Sequence, residues 1–203
     1  MDLENYKKLW KNQPQEGKKL SAVEIYKMAH KRSSSIVKWI FIIGILEFVV
    51  LNSLYFFVDL EESKKLYESM GIMNIVYYSQ IIAYSILFYF LFQFYMNYKK
   101  ISVIESTKNL LTKIVKTRKT VRNYVIFNLA YLVFVTITIS IAAINTNEFG
   151  FSTKQTVIFI GVMILMTIII TGALFLFYQL LYGILLRKLK KNYKEIAKLD
   201  ELN

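Results

Sequence analysis

Glu47 is the one ionisable acid inside a long apolar stretch, near the midpoint of residues 36–58. A charge in the middle of a bilayer costs a few kcal/mol on insertion scales, so Glu47 is expected to face the interior of a helix bundle as a hydrogen-bonded, neutral carboxyl. Two chemistries are open to it. One is a proton or cation relay. The other is a carboxyl that ties helices together through Ser85, Tyr84, Thr136 or Thr171 at similar depth. A relay needs several ionisable or polar stations, and the rest here are hydroxyls and amides, so the structural tie is favoured. Gly161, Gly172 and Gly183 recur every 11 residues in the fourth apolar stretch. Eleven residues make about three helical turns, so these glycines align as a stripe expected to serve helix packing, with a substrate path as the weaker reading. Asn128, Gln80, Gln93 and Gln179 are candidate buried amides, and His30, set among Lys and Arg, is expected to be solvated.

Composition removes most other chemistry. The chain has no Cys and one His. That excludes disulfides, thiolate-held iron–sulfur clusters, Cys zinc sites and any site that needs several imidazoles. No P-loop, GxSxG, HExxH or paired-carboxylate motif occurs. No catalytic residue, metal ligand or cofactor-binding residue is therefore assigned, and a non-enzymatic protein is expected. A lipid-acting enzyme is the weakest of the alternatives.

The elements that must position Glu47 are plain in the hydropathy pattern. Of the 203 residues 55% are hydrophobic, with 15 Tyr, 15 Phe and a single Pro. The apolar residues fall in four blocks, at residues 36–58, 72–98, 121–144 and 157–186. Each is long enough to cross about 30 Å of hydrocarbon at about 1.5 Å per residue. Each must be helical, because a lone strand in lipid leaves its backbone unpaired. The fold class is all-α: a polytopic, antiparallel four-helix transmembrane bundle spanning residues 36–186, with cytoplasmic helical extensions. Lys and Arg set its orientation. Nine lie up to Trp39, eight in the loop 99–120 and the residues flanking it, and six in the basic tail 187–203, against Lys64, Lys65 and Lys154 in the other two loops. That is 23 against 3, which places both termini and the middle loop in the cytoplasm. Trp39, Tyr55, Tyr77, Tyr78, Tyr95, Tyr98, Tyr124 and Tyr182 fall near the expected interfaces. The first 35 residues hold no apolar core, so the first span is read as retained and not as a signal peptide.

The cytoplasmic segment 1–35 has its own pattern. Leu3, Tyr6 and Trp10 share one face of a short amphipathic helix, which either lies on the bilayer or docks a cytoplasmic protein. Ser21-Ala-Val-Glu24 is a capping box, so one helix is expected from about residue 22 straight into the first span. A helical hairpin turning near Glu105 is expected to join the second and third spans. The basic face suits anionic lipid headgroups first and a protein partner second. Nucleic acid is disfavoured, because no aromatic stacking platform accompanies the charge. The pattern also admits a homo-oligomer. Two functions follow: a regulatory or accessory subunit whose amino terminus docks a partner, or a small oligomeric transporter or channel using Glu47 as a titratable gate.

A shift of 86 residues aligns Ile40-Phe41 with Ile126-Phe127 and Gln93 with Gln179, a faint sign of duplicated hairpins. Three segments carry a resemblance: Tyr6-Lys-Lys-Leu-Trp-Lys-Asn-Gln13, Ser21-Ala-Val-Glu-Ile-Tyr-Lys-Met28 leading into Ser33-Ser-Ser, and Lys116-Thr-Arg-Lys-Thr-Val-Arg-Asn-Tyr124. With these the chain resembles uncharacterised four-helix bacterial inner-membrane proteins often encoded beside an extracytoplasmic-function sigma factor. The resemblance implies a regulatory partner in the cytoplasm, and it implies no activity and no site.

Overall fold

The computed structural model describes residues 22–57, 60–102, 106–146 and 149–200. Leu3, Tyr6, Trp10, Ser21 and Glu105, and with them the amino-terminal docking face, the capping box and the hairpin turn, lie outside the described residues. Among the described residues there is no strand. The helices are α1 (Ala22–Ser53), α2 (Leu60–Ser69), α3 (Met73–Ser102), α4 (Thr107–Asn145), α5 (Thr153–Tyr178) and α6 (Ile184–Asp200). A 3-10 turn, Leu54–Phe57, ends α1, and a π-helical turn, Gln179–Gly183, joins α5 to α6 without a break. Four of these rods are long and apolar enough to cross a membrane: Val23–Phe57, Met73–Ser102, Thr107–Asn145 and Thr153–Lys198.

The rods form a ring. α1 lies along α3, α3 along α4, and α4 along both α5 and α6, while α6 closes the ring against α1. α5 packs chiefly on α4, and its other faces are open, with Val157 66%, Ile158 65% and Ile168 64% exposed. A helix that is apolar on every side finds no aqueous surface it can turn outward.

One core lies where the charges are. Ala29 and Val37 of α1, Ile101 of α3, Leu110 and Ile114 of α4, and Leu189 and Ile196 of α6 are buried together. Lys and Arg project outward from the same helices, so this end is built like a water-soluble bundle. The segment 187–200, read from the sequence as a basic tail, is thus helical and carries part of the core. Leu189, Asn192 and Ile196 are its buried positions, and their spacing of three and four residues marks one face of a helix. His30, expected to be solvated, is instead tied inward: its Nε2 donates to the Ile101 carbonyl at 2.7 Å, at the end of α3. The last carbonyls of a helix have no partner within it, and an imidazole N–H is a ready donor.

At the other end, α2 is an element that the sequence reading took for part of a short loop. It is stopped by Gly71 at φ 68°. Ile72 N–H bonds the Tyr67 carbonyl and Gly71 N–H the Glu68 carbonyl, both at 3.0 Å. This is a Schellman cap, and the left-handed residue it needs is the reason for glycine there. Met70 and Ile72 then close over Ala142 and Ala143 of α4.

Candidate functional site

Glu47 lies on α1, is 6% exposed, and faces the point where α5 passes into the π turn. Its partners are tyrosines. The Tyr178 hydroxyl donates to Oε1 at 2.7 Å and the Tyr182 hydroxyl to Oε2 at 2.8 Å. The Tyr124 ring of α4 packs edge-on against both phenols. The three phenol rings stand 6.0 to 6.2 Å apart. Phe94 of α3 packs edge-on against Tyr124 at 5.3 Å, and Phe90 does so at 5.6 Å. One carboxyl, two hydroxyls and the rings of Tyr124, Phe90 and Phe94 therefore draw α1, α3, α4 and the α5–α6 rod into one cluster.

This corrects the expected partners. Tyr84 donates to Asn52 Oδ1 at 2.7 Å. Ser85 and Thr136 bond carbonyls of their own helices, and Thr171 Oγ1 is buried without a hydrogen-bond partner among the described residues. The physical reason is depth. Tyr182 precedes Arg187 by five residues, about 7.5 Å of helix, so Glu47 meets the basic half of the fourth rod. The midpoint of its own apolar stretch was a poor guide. Tyr124 and Tyr182, expected in an interfacial belt, are each 1% exposed. Tyr178 and Tyr182, four residues apart near the end of the fourth apolar run, were the available signal for the pair that binds Glu47.

Other polar side chains pair across helices or within their own helix. Asn192 of α6 donates to Ser33 of α1 at 3.3 Å, both buried. Asn97 of α3 donates to Thr120 of α4 at 3.4 Å. Gln80 reaches the Tyr55 hydroxyl at 3.4 Å, Gln93 bonds Tyr89 at 2.9 Å, and Asn128 bonds the Tyr124 carbonyl at 2.9 Å. Along α1, Ser33 and Glu47 are about 21 Å apart, so the buried groups act as separate clasps and form no string of proton stations. Among the described residues, no three side chains of His, Asp or Glu converge as a metal-holding set.

The glycine stripe divides. At Gly161 and Gly172 an added Cβ would meet nothing within 4 Å, so neither packs against another helix among the described residues. Gly183 is buried, but against its own π turn, where a Cβ would lie 2.9 Å from Gln179 Cδ. The glycine that lets two helices meet is Gly44, which belongs to no repeating stripe. There a Cβ would stand 3.1 Å from both Leu91 Cδ2 and Phe94 Cδ2 of α3.

The family model for the domain of unknown function DUF8845 matches residues 23–201, from the first turn of α1 to the end of α6 and including every residue of the clasp. The chain belongs to this family. No curated protein and no solved structure matches it. The DUF8845 match begins after Leu3, Tyr6 and Trp10, so the candidate docking face is no part of what defines the family.

Beside the clasp, the DUF8845 fold leaves a groove of about 560 Å³ between α4 and the α5–α6 junction. Arg118, Lys119 and Arg122 stand at its basic end, with Val125, Leu129 and Phe175 further along. Tyr178 and Tyr182 form part of its wall, which places the groove directly behind the Glu47 cluster. Gln179 faces it from the π turn. Single π turns inside long helices are uncommon and recur at functional positions.

Proposed function

We propose that this protein is a multi-pass protein of the bacterial inner membrane, with both termini in the cytoplasm, that acts by protein contact as a regulatory or accessory subunit. One observation carries the reading. The four long rods run without a break from a belt of exposed apolar side chains into a buried core ringed by Lys and Arg. A belt of this kind needs lipid cover, whereas a charged, internally packed bundle is at home in water. Together they describe a membrane anchor that holds up a rigid cytoplasmic platform. The distribution of 23 cations against 3 supports the orientation. The inner-membrane location and the regulatory partner rest on the resemblance in the sequence. The transporter reading has less support, because both oxygens of Glu47 already accept hydrogen bonds inside an aromatic cluster.

The orientation is tested on a chain that naturally lacks cysteine. Single cysteines at Lys108 and Lys198 are expected to react with a membrane-impermeant maleimide only after inner-membrane vesicles are everted, and one at Lys64 only in intact spheroplasts. Reversed labelling would overturn the topology. For the partner, affinity purification in mild detergent compares the full chain with one lacking residues 1–17. A protein captured by the full chain and lost with the truncation is the expected result. If nothing specific co-purifies with either form, the docking reading is lost.

A further inference from the structure

We propose that the groove between α4 and the α5–α6 junction binds one anionic phospholipid, its phosphate held by Arg118 and its neighbours and an acyl chain laid along Val125, Leu129 and Phe175. This rests on the membrane reading above and adds a specific occupant to it. The first argument is an unmet donor. Arg118 Nε is buried and has no hydrogen-bond partner among the described residues. A buried donor of a charged group left unpaired is unfavourable, and a phosphate oxygen is an acceptor that guanidinium geometry fits well.

Charge makes the second argument. Arg118 and Arg122 are four residues apart and so share a face of α4, Lys119 stands beside them, and among the described residues no acidic side chain lines the groove. The third is the change of chemistry along that face. Arg118, Arg122, Val125 and Leu129 follow one another at helical spacing, so the strip passes from cationic to apolar within about one turn. A phospholipid makes the same change from headgroup to chain. The apolar part is open, with Ile126 57% and Phe175 52% exposed beside it. A free phosphate would use only the cationic end, and an acidic peptide would leave the apolar wall uncovered. The volume is ample for a headgroup and the first part of one chain.

The test reconstitutes the full chain in phosphatidylcholine nanodiscs containing phosphatidylglycerol, and counts retained lipids by native mass spectrometry. The unmodified chain is expected to retain phosphatidylglycerol about tenfold over phosphatidylcholine, and Arg118→Gln to lose most of that preference, as removal of one charge-assisted contact implies. Lys198→Gln, which removes an exposed charge far along α6, is expected to change nothing. Lys119→Gln with Arg122→Gln alters only exposed groups, so it keeps the test decisive if Arg118→Gln fails to fold. Equal retention of the two lipids, or an undiminished preference in both variants, overturns the proposal. So does inorganic phosphate that competes the lipid away at equal concentration. A chain that washes off membranes in carbonate overturns the membrane reading and this inference together. One that stays in the bilayer without lipid preference overturns the inference alone.

Discussion

Glu47→Ala is expected to lower the stability of the protein in mild detergent by about 2–4 kcal/mol, read as a lower thermal midpoint by tyrosine near-ultraviolet circular dichroism. Two hydroxyls, on Tyr178 and Tyr182, donate to this carboxyl from residues that are 4% and 1% exposed. Removing the acceptor leaves both buried and unpaired. Each unpaired group costs about 1–3 kcal/mol on the soluble-protein scale, whereas hydrogen bonds between helices in membranes average about 0.6 and reach about 1.7. The lower half of the combined range is the better guide if lipid surrounds the rods, and the loss of packing around a truncated side chain adds to it. Glu47→Gln keeps the shape and one acceptor, and turns the other contact into an amide donor to which one tyrosine hydroxyl must reorient. It is expected to show less than half the loss. Tyr182→Phe should lose about 1 kcal/mol, and a double-mutant cycle of Tyr182→Phe with Glu47→Ala should give less than the sum, because both remove the same contact. A Glu47→Ala protein that melts with the unmodified chain would remove the clasp as a structural element and return attention to proton or ion movement.

Gly44→Leu is the second substitution with a large expected effect. An alanine Cβ would already stand 3.1 Å from Leu91 Cδ2 and Phe94 Cδ2, so those side chains must yield by a few tenths of an ångström. Three further carbons have no room unless α1 and α3 move apart, and overpacking of this kind costs about 1–3 kcal/mol. The shift would also disturb Phe94, which packs on Tyr124 and Tyr182 beside Glu47. Gly172→Leu provides the comparison. With nothing within 4 Å of its added Cβ, it is expected to stay within about 0.5 kcal/mol of the unmodified protein. Equal losses at Gly44 and Gly172 in monodisperse monomer would show that α5 packs differently from the arrangement described.

What the sequence made legible followed from features that act along one helix. Apolar runs of membrane length do not depend on their neighbours, so the four rods could be read directly. The chemistry of Glu47 as a tie between helices was also open to reading, since an acid in an apolar run needs a partner. Which partner it finds depends on how far each rod is displaced along its axis and how it is rotated, and no pattern within α1 carries that information. Tyr182 therefore read as an interfacial ring, although it is among the most buried side chains in the protein. The same limit explains the glycines. A stripe at Gly161 and Gly172 satisfies helical geometry whether or not a neighbour is present, while the single Gly44 meets α3 at close range. α2 escaped notice for a different reason, because it is short and charged, and its clearest mark is the left-handed Gly71 that ends it.

The clasp also sets an order of assembly. Glu47 is made 131 residues before Tyr178 and 135 before Tyr182. At a synthesis rate of about 5–20 residues per second, that is roughly 7 to 27 seconds in which the first rod exists without the hydroxyls that satisfy its acid. Ser33 waits longer still, for Asn192 at a separation of 159. The ring cannot close until α6 arrives to complete it. During that interval the nascent chain carries an unmatched carboxyl inside an apolar helix, which, on the membrane reading proposed above, must be sheltered or left near the headgroups. The finished fold is thus sealed by its latest-made contacts, so an interrupted chain remains recognisable as unfinished.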